Sequence, residues 1–280
     1  MERIKEAIKL AKSQQDSARP MVVDRRLAEA PAMTGAMPAG AEPPAATALP
    51  STRVLRVNRD HLEMNRIVAH ISGNPVNVPY DILRTKVTQE MDQKGWKVLI
   101  VTSPTANCGK TVTSINLSLS IAKLSGRSVV LVDLDLRKPS IARTLGLTLQ
   151  KDLSSFLAGT ATPDDIMVQI DLAGPQLAIV GNMKAVNNPS EALGSGLMAA
   201  LFDYLRAQPD RPIIIVDMPP VLFSDDVLSF MPLSDCCLLT VQEKVTTVRE
   251  IESSEELLQA TNMLGCVLNK SNEGSETYYY

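Results

Sequence analysis

The chain has 280 residues, 45% apolar and 21% charged, an ordinary composition for a soluble globular protein of one large domain or two small ones. A net charge of −3 gives no general attraction for nucleic acid or for an anionic membrane surface. No apolar run approaches the roughly 20 residues that a membrane-spanning helix needs.

The first residues, MERIKEAIKLAKSQQ, carry charge throughout and lack the apolar segment of a secretory signal. Ile4, Ala7, Ile8 and Ala11 fall at i, i+3, i+4 and i+7, which predicts a short amphipathic helix within residues 1–16, either solvated or a docking element. Residues 17–75 are rich in Ala, Pro and Met over much of their length and read as a largely disordered linker. His61 and His70 fall in this region without metal-ligand spacing and read as surface or linker residues. Cys108, Cys236, Cys237 and Cys266 form no CxxC pair and read as reduced, buried thiols.

From about Val76 the pattern becomes periodic. YDILRTKVTQEMDQKG predicts a helix ending at Gly95. WKVLIVTS, SVVLVDLD, QLAIVG, PIIIVD, DCCLLTV and GCVLNK read as strands, and SINLSLSIAKLSG, SEALGSGLMAALFDYLRAQ and VREIESSEELLQATNML as helices. Near-continuous apolar strands alternating with helices predict an α/β domain over residues 76–272, a mostly parallel sheet with helices on both faces. A flexible tail at 273–280 ends in Tyr278, Tyr279 and Tyr280, three of the five tyrosines in the chain.

Ligands of such sheets sit at the carboxyl ends of the strands. After VLIVTS comes PTANCGKT, residues 104–111, then a helix. Gly109, Lys110 and Thr111 match the end of the phosphate-loop pattern G-x-x-x-x-G-K-[ST], with Pro104 at the first glycine position. That chemistry needs backbone N–H groups at a helix N-terminus, a lysine for the β/γ oxygens and a hydroxyl for Mg²⁺. SVVLVDLDLRKPS adds Asp133, Asp135 and Arg137, and PIIIVDMPP adds Asp217. Strand-end carboxylates beside a phosphate loop suit Mg²⁺, which takes oxygen ligands.

GKT, VVLVDLDLRKPS and IIIVDMPP together resemble the Walker A, Walker A′ and Walker B motifs of bacterial tyrosine kinases, and NPSEAL, GCVLNK, LRT and the tyrosine tail are similar to further segments of that family. The resemblance covers about residues 76–280 and implies a P-loop NTPase fold of the partitioning-ATPase-like, deviant Walker type. It implies ATP-dependent autophosphorylation of Tyr278, Tyr279 and Tyr280, in trans, serving capsule or exopolysaccharide synthesis. Thr105, Ala106, Asn107, Cys108, Gly109, Lys110, Thr111 and Val112 would cradle ATP, with Asn269 near the adenine. Thr111, Asp135 and Asp217 would hold Mg²⁺. Asp133 would take the phenol proton, though Asp133 and Asp135 could exchange roles. Arg137 would order the site or contact a neighbouring subunit. The implied partners are a membrane-embedded polysaccharide co-polymerase or adaptor as activator and further copies of the chain, with a cytoplasmic location at the inner face of the membrane.

The sequence also departs from that family. The loop reads Ala106-Asn107-Cys108-Gly109 where relatives often have P-G-x-G, and the E-x-x-R-x-x-R assembly pattern aligns with Val78, Asp81 and Arg84, keeping only the arginine. Two alternatives remain: a partitioning or cell-division ATPase, whose signature lysine would fall where this chain has Thr105, and a non-catalytic nucleotide-binding regulator of polysaccharide export.

Overall fold

The computed structural model describes residues 53–271 except 72, 125–126 and 173–175. The expected N-terminal helix, most of the expected linker and the tyrosine tail lie outside the described residues.

Eight strands form one sheet: β1 (Arg53–Arg56), β2 (Val98–Thr102), β3 (Ser128–Asp133), β4 (Met167–Asp171), β5 (Gln176–Val180), β6 (Ile213–Asp217), β7 (Cys236–Gln242) and β8 (Asn262–Asn269). Their order is β1-β4-β5-β3-β6-β2-β7-β8, and every pairing is parallel except β4 with β5. VLIVT, SVVLVD and IIIVD are buried at every position, because helices cover both faces of the central strands. Alternate residues feed two cores. Ile100, Val130, Val132, Ile214 and Val216 pack with Met198, Phe202 and Phe230 on one face. Leu99, Val101, Leu131 and Ile215 pack with Val87, Met91, Ile115 and Leu119 on the other.

The folded unit begins earlier than position 76. Asn58 caps a short helix, α1 (Arg59–Met64), by accepting from the N–H groups of Asp60 and His61. Leu62, Ile67 and Ala69 are fully buried, so residues 53–71 are not linker. The segment escapes a periodicity test because its elements are only four and six residues long. Both histidines therefore lie inside the folded unit. His61 Nε2 is 3.1 Å from the Arg143 carbonyl, and burial lowers the pKa of His70.

Helix α2 (Val78–Lys94) stops at Gly95, whose φ of 69° is left-handed, as the sequence predicts. Helix α3 (Lys110–Ala122) packs its Asn116 against the early segment: Asn116 Oδ1 accepts from Val68 and Ala69 N–H, and Nδ2 donates to the carbonyls of Arg66 and Val112. Truncating this buried amide leaves several polar groups unpaired. Asn116→Ala should cost about 2–3 kcal/mol in urea unfolding. Asp81 and Arg84 of α2 pair with each other at 2.8 Å, and both also bond the Ser120 hydroxyl within the chain.

Three other expectations change. The helix expected over SEALGSGLMAALFDYLRAQ is two helices, Pro189–Leu193 and Gly196–Arg206, because Gly194 ends the first and Ser195 caps the second through Met198 N–H. The next one stops at Leu257, since Asn262 and Met263 are already paired with β7. Cys108, Cys236 and Cys237 are buried as expected, but Cys266 on the edge strand β8 is exposed. Among the described residues no helix is long and apolar enough to cross a membrane.

Candidate nucleotide-binding site

The sheet order puts β3, β6 and β2 side by side, so the three motif-bearing strand ends converge. Val101 and Asp133 both pair in register with Asp217. Leu134 N–H bonds the Asp217 carbonyl and Met218 N–H that of Val101, which ties the strand ends together.

The loop between β2 and α3 bends through two left-handed residues, Asn107 (φ 64°) and Gly109 (φ 91°). The φ of Gly109 would strain any residue with a side chain, and a β-carbon there would fall 2.0 Å from Asn269 Nδ2 and displace that amide. Gly109 is the N-cap of α3 and has no side-chain cap, leaving the first-turn N–H groups available to an anion. Thr105, Ala106 and Cys108 complete the loop. Thr105 Oγ1 lies 3.6 Å from Cys108 Sγ, and the Thr105 carbonyl accepts from Ser103 Oγ at 2.7 Å. Val112, in the first turn of α3, is half-buried and packs against the core on the Leu99 and Val101 face of the sheet.

Lys110 Nζ meets Asp135 Oδ2 at 2.7 Å and lies 3.8 Å from Asp217 Oδ2. Burial alone would lower the pKa of this ammonium, but Asp217, Asp135 and Asp133 around it hold it above the usual lysine value. Thr111 Oγ1 donates to Asp217 Oδ2 at 2.6 Å, and Ser114 Oγ to Oδ1 at 3.2 Å. Burial raises the pKa of Asp217, opposed by Lys110 and Thr111.

Asp133 is held differently. Its Oδ2 accepts from the N–H groups of Ser140 and Ile141, each at 2.9 Å, while Oδ1 is buried without a partner. Burial, and then repulsion from Asp217, push this carboxyl up to about 7. Asp135 is tied to Lys110 and, through Oδ1, to the Lys138 N–H. The two aspartates of the D-x-D pair thus sit in unlike environments, one desolvated and one ion-paired.

Lys110, Thr111, Asp133, Asp135 and Asp217 come together, but Arg137 turns away to another partner. Its guanidinium makes a two-pronged pair with the fully buried Asp226 at 2.8 and 3.0 Å, and Ser190 Oγ bonds the same carboxylate at 2.7 Å. Asn269 Nδ2 donates to the Cys108 carbonyl at 2.8 Å, placing it beside the loop. Sequence reasoning missed Ser114, Ser140, Asp226 and Lys270. Ser114 alone left a signal, one helical turn after Lys110.

A strand, a glycine-turned loop and a helix N-terminus converging on one lysine and three carboxylates form a phosphate-binding arrangement. Residues 99–279 match the CobQ/CobB/MinD/ParA nucleotide binding domain, more than half of the chain. The chain belongs to this family. The chain is also similar to named relatives. The putative tyrosine-protein kinase EpsB of Ralstonia nicotianae is 30% identical over 200 residues, covering 71% of this chain but 26% of EpsB. This chain therefore spans about a quarter of that relative's length. The tyrosine-protein kinase CpsD of Streptococcus agalactiae is 28% identical, over 71% of this chain and 85% of CpsD. Among solved structures, the kinase domain of the Escherichia coli tyrosine kinase ETK superposes with a TM-score of 0.63 at 27% identity, over 71% of this chain and 77% of that one.

Proposed function

We propose that this nucleotide-binding domain is an ATP-dependent protein-tyrosine autokinase that phosphorylates Tyr278, Tyr279 and Tyr280 of another copy, and that it regulates capsule or exopolysaccharide polymerisation and export. The observation that carries the reading is the state of Asp133. One of its oxygens is fixed by two backbone N–H groups and the other is buried and unpartnered, with the carboxyl raised to about 7. A base so tuned can take a proton from an incoming hydroxyl near neutral pH. The names of relatives that match over most of their length, such as CpsD, point to tyrosine as the source of that hydroxyl.

The other tyrosines are poor acceptors. Burial raises the phenol pKa of Tyr80, and the Tyr204 hydroxyl donates to Asp164. In the proposed step a tail phenol oxygen forms a bond to the γ-phosphorus of ATP and the bond to the β-phosphate oxygen breaks. The phenol proton passes to Asp133 Oδ1, and ADP leaves. The loop N–H groups and Lys110 bind and orient the phosphates, with Asn269 lying toward the adenine. The donor set of Thr111, Asp135 and Asp217 is all oxygen and fits Mg²⁺, whose role when bound is to neutralise phosphate charge. Arg137 serves the site indirectly by fixing the loop after β3 to Asp226.

We assign as activator a membrane-embedded polysaccharide co-polymerase or adaptor, which would recruit a cytoplasmic chain to the inner membrane face. The reading is tested by incubating the full chain with Mg²⁺ and labelled ATP, alone and with a candidate adaptor fragment. Label is expected on the full chain and absent from a version truncated after Thr277. Equal labelling of the truncated chain would reject the tail as acceptor, and no label under any condition would favour a non-catalytic nucleotide-binding regulator.

A further inference from the structure

The phosphate loop is held from behind by the end of β8. Lys270 Nζ donates to the Asn107 carbonyl at 2.7 Å and to Gln242 Oε1 at 3.1 Å. Asn269 Nδ2 donates to the next carbonyl, Cys108, at 2.8 Å. These side chains are themselves anchored, since Glu243 N–H bonds the Asn269 carbonyl at 3.0 Å and the Gln242 N–H bonds Thr246 Oγ1 at 2.9 Å. In a trans peptide the carbonyl and the following N–H point in opposite directions. Drawing the carbonyls of Asn107 and Cys108 toward β8 therefore turns the N–H groups of Cys108 and Gly109 the other way.

Asn107 holds a left-handed φ of 64°, a conformation that is free for glycine, tolerable for asparagine and costly for most other residues. Nothing covalent fixes the loop in this shape. We propose that Lys270 is a positioning residue for nucleotide binding: its ammonium, braced by Gln242, straps the Asn107 carbonyl so that a non-glycine loop keeps its N–H groups turned toward the phosphates. The inference rests on the nucleotide-site reading and adds a residue to it. Lys270 acts through the backbone rather than by touching the ligand.

If the strap sets the population of the binding-competent loop, the apparent dissociation constant is the intrinsic one divided by that population. Its loss should then matter least where residue 107 adopts the left-handed shape freely. The test crosses Lys270→Met with Asn107→Gly and Asn107→Ala in the full chain and measures binding of a fluorescent ADP analogue with Mg²⁺. Lys270→Met should weaken binding about tenfold with Asn107 in place, about twofold or less with Gly and more than tenfold with Ala. In the ligand-free protein, amide exchange at Cys108 and Gly109 should quicken in Lys270→Met, while the thermal midpoint moves little. An equal loss in all three backgrounds would overturn the proposal and make Lys270 a direct charge on the ligand. So would binding within twofold of the unaltered chain together with unchanged loop exchange. Absence of ADP binding by the unaltered chain would instead overturn the nucleotide-site reading itself.

Discussion

Lys110→Met should abolish the proposed phosphoryl transfer and weaken ADP binding by at least about a hundredfold, since a buried, hydrogen-bonded charge is removed from its partners. It should also destabilise the ligand-free protein. Lys110 is the ammonium beside Asp135 and Asp217 and also lowers the pKa of Asp133. Without it those carboxylates are left uncompensated, at a cost of about 3 kcal/mol at pH 8. The sign with pH follows from the neighbours. Lys110 lowers the pKa of both Asp133 and Asp217, so its loss lets each rise further. Raised carboxyl groups favour the folded state when protonated, and that contribution fades as pH climbs through the folded-state value. The gap between variant and parent should therefore widen from pH 5 to pH 8 in urea denaturation.

Asp133→Asn should lose as much activity for the opposite structural reason. Removing the proposed base costs about 10²–10⁴ in rate. The folded protein, however, should become more stable. Asp133 has a folded pKa near 7 against about 3.9 in an unfolded chain. The acid form is the one the fold tolerates, so the parent's stability from this group is full below pH ~4 and is lost as pH rises through about 7. An amide does not titrate. The variant's advantage should open above pH ~4 and level off above about 7, reaching about 2 kcal/mol after relaxation of neighbouring groups. Two inactive variants would thus bracket the parent in stability at pH 8. If Asp133→Asn were destabilised at alkaline pH, the native protein would compensate the ionised carboxylate, and the raised pKa on which its assignment as base leans would fall.

The central strands were legible because helices bury them on both faces: IIIVD cannot be mistaken for an exposed segment. Arg53–Arg56 was not, since an edge strand of RVLR exposes three of its four residues. Met167–Asp171 was hidden by its position directly after a four-residue helix. The site divides in the same way. Lys110, Thr111, Asp133, Asp135 and Asp217 lie at the ends of strands or the start of a helix, where local pattern and location coincide. Ser140 and Lys270 act through contacts that depend on how distant loops meet, and no local spacing encodes those. Arg137 was found by motif, but its partner is 89 positions away, and only the folded chain reveals that this charge braces a loop.

The strap on the phosphate loop also bears on the timing of synthesis. Asn269 follows Cys108 by 161 positions and Lys270 follows Asn107 by 163, and β2, from which the loop springs, lies between β6 and β7 in the second half of the chain. A ribosome that has made the G-K-T segment has not yet made the strands that flank β2 or the residues that turn its loop. At about 5–20 residues per second, roughly 10–30 s separate translation of the loop from translation of its last support. During that interval the loop lacks both the strands that flank β2 and the side chains that hold its carbonyls, so its folded arrangement is assembled only after β8 has been made.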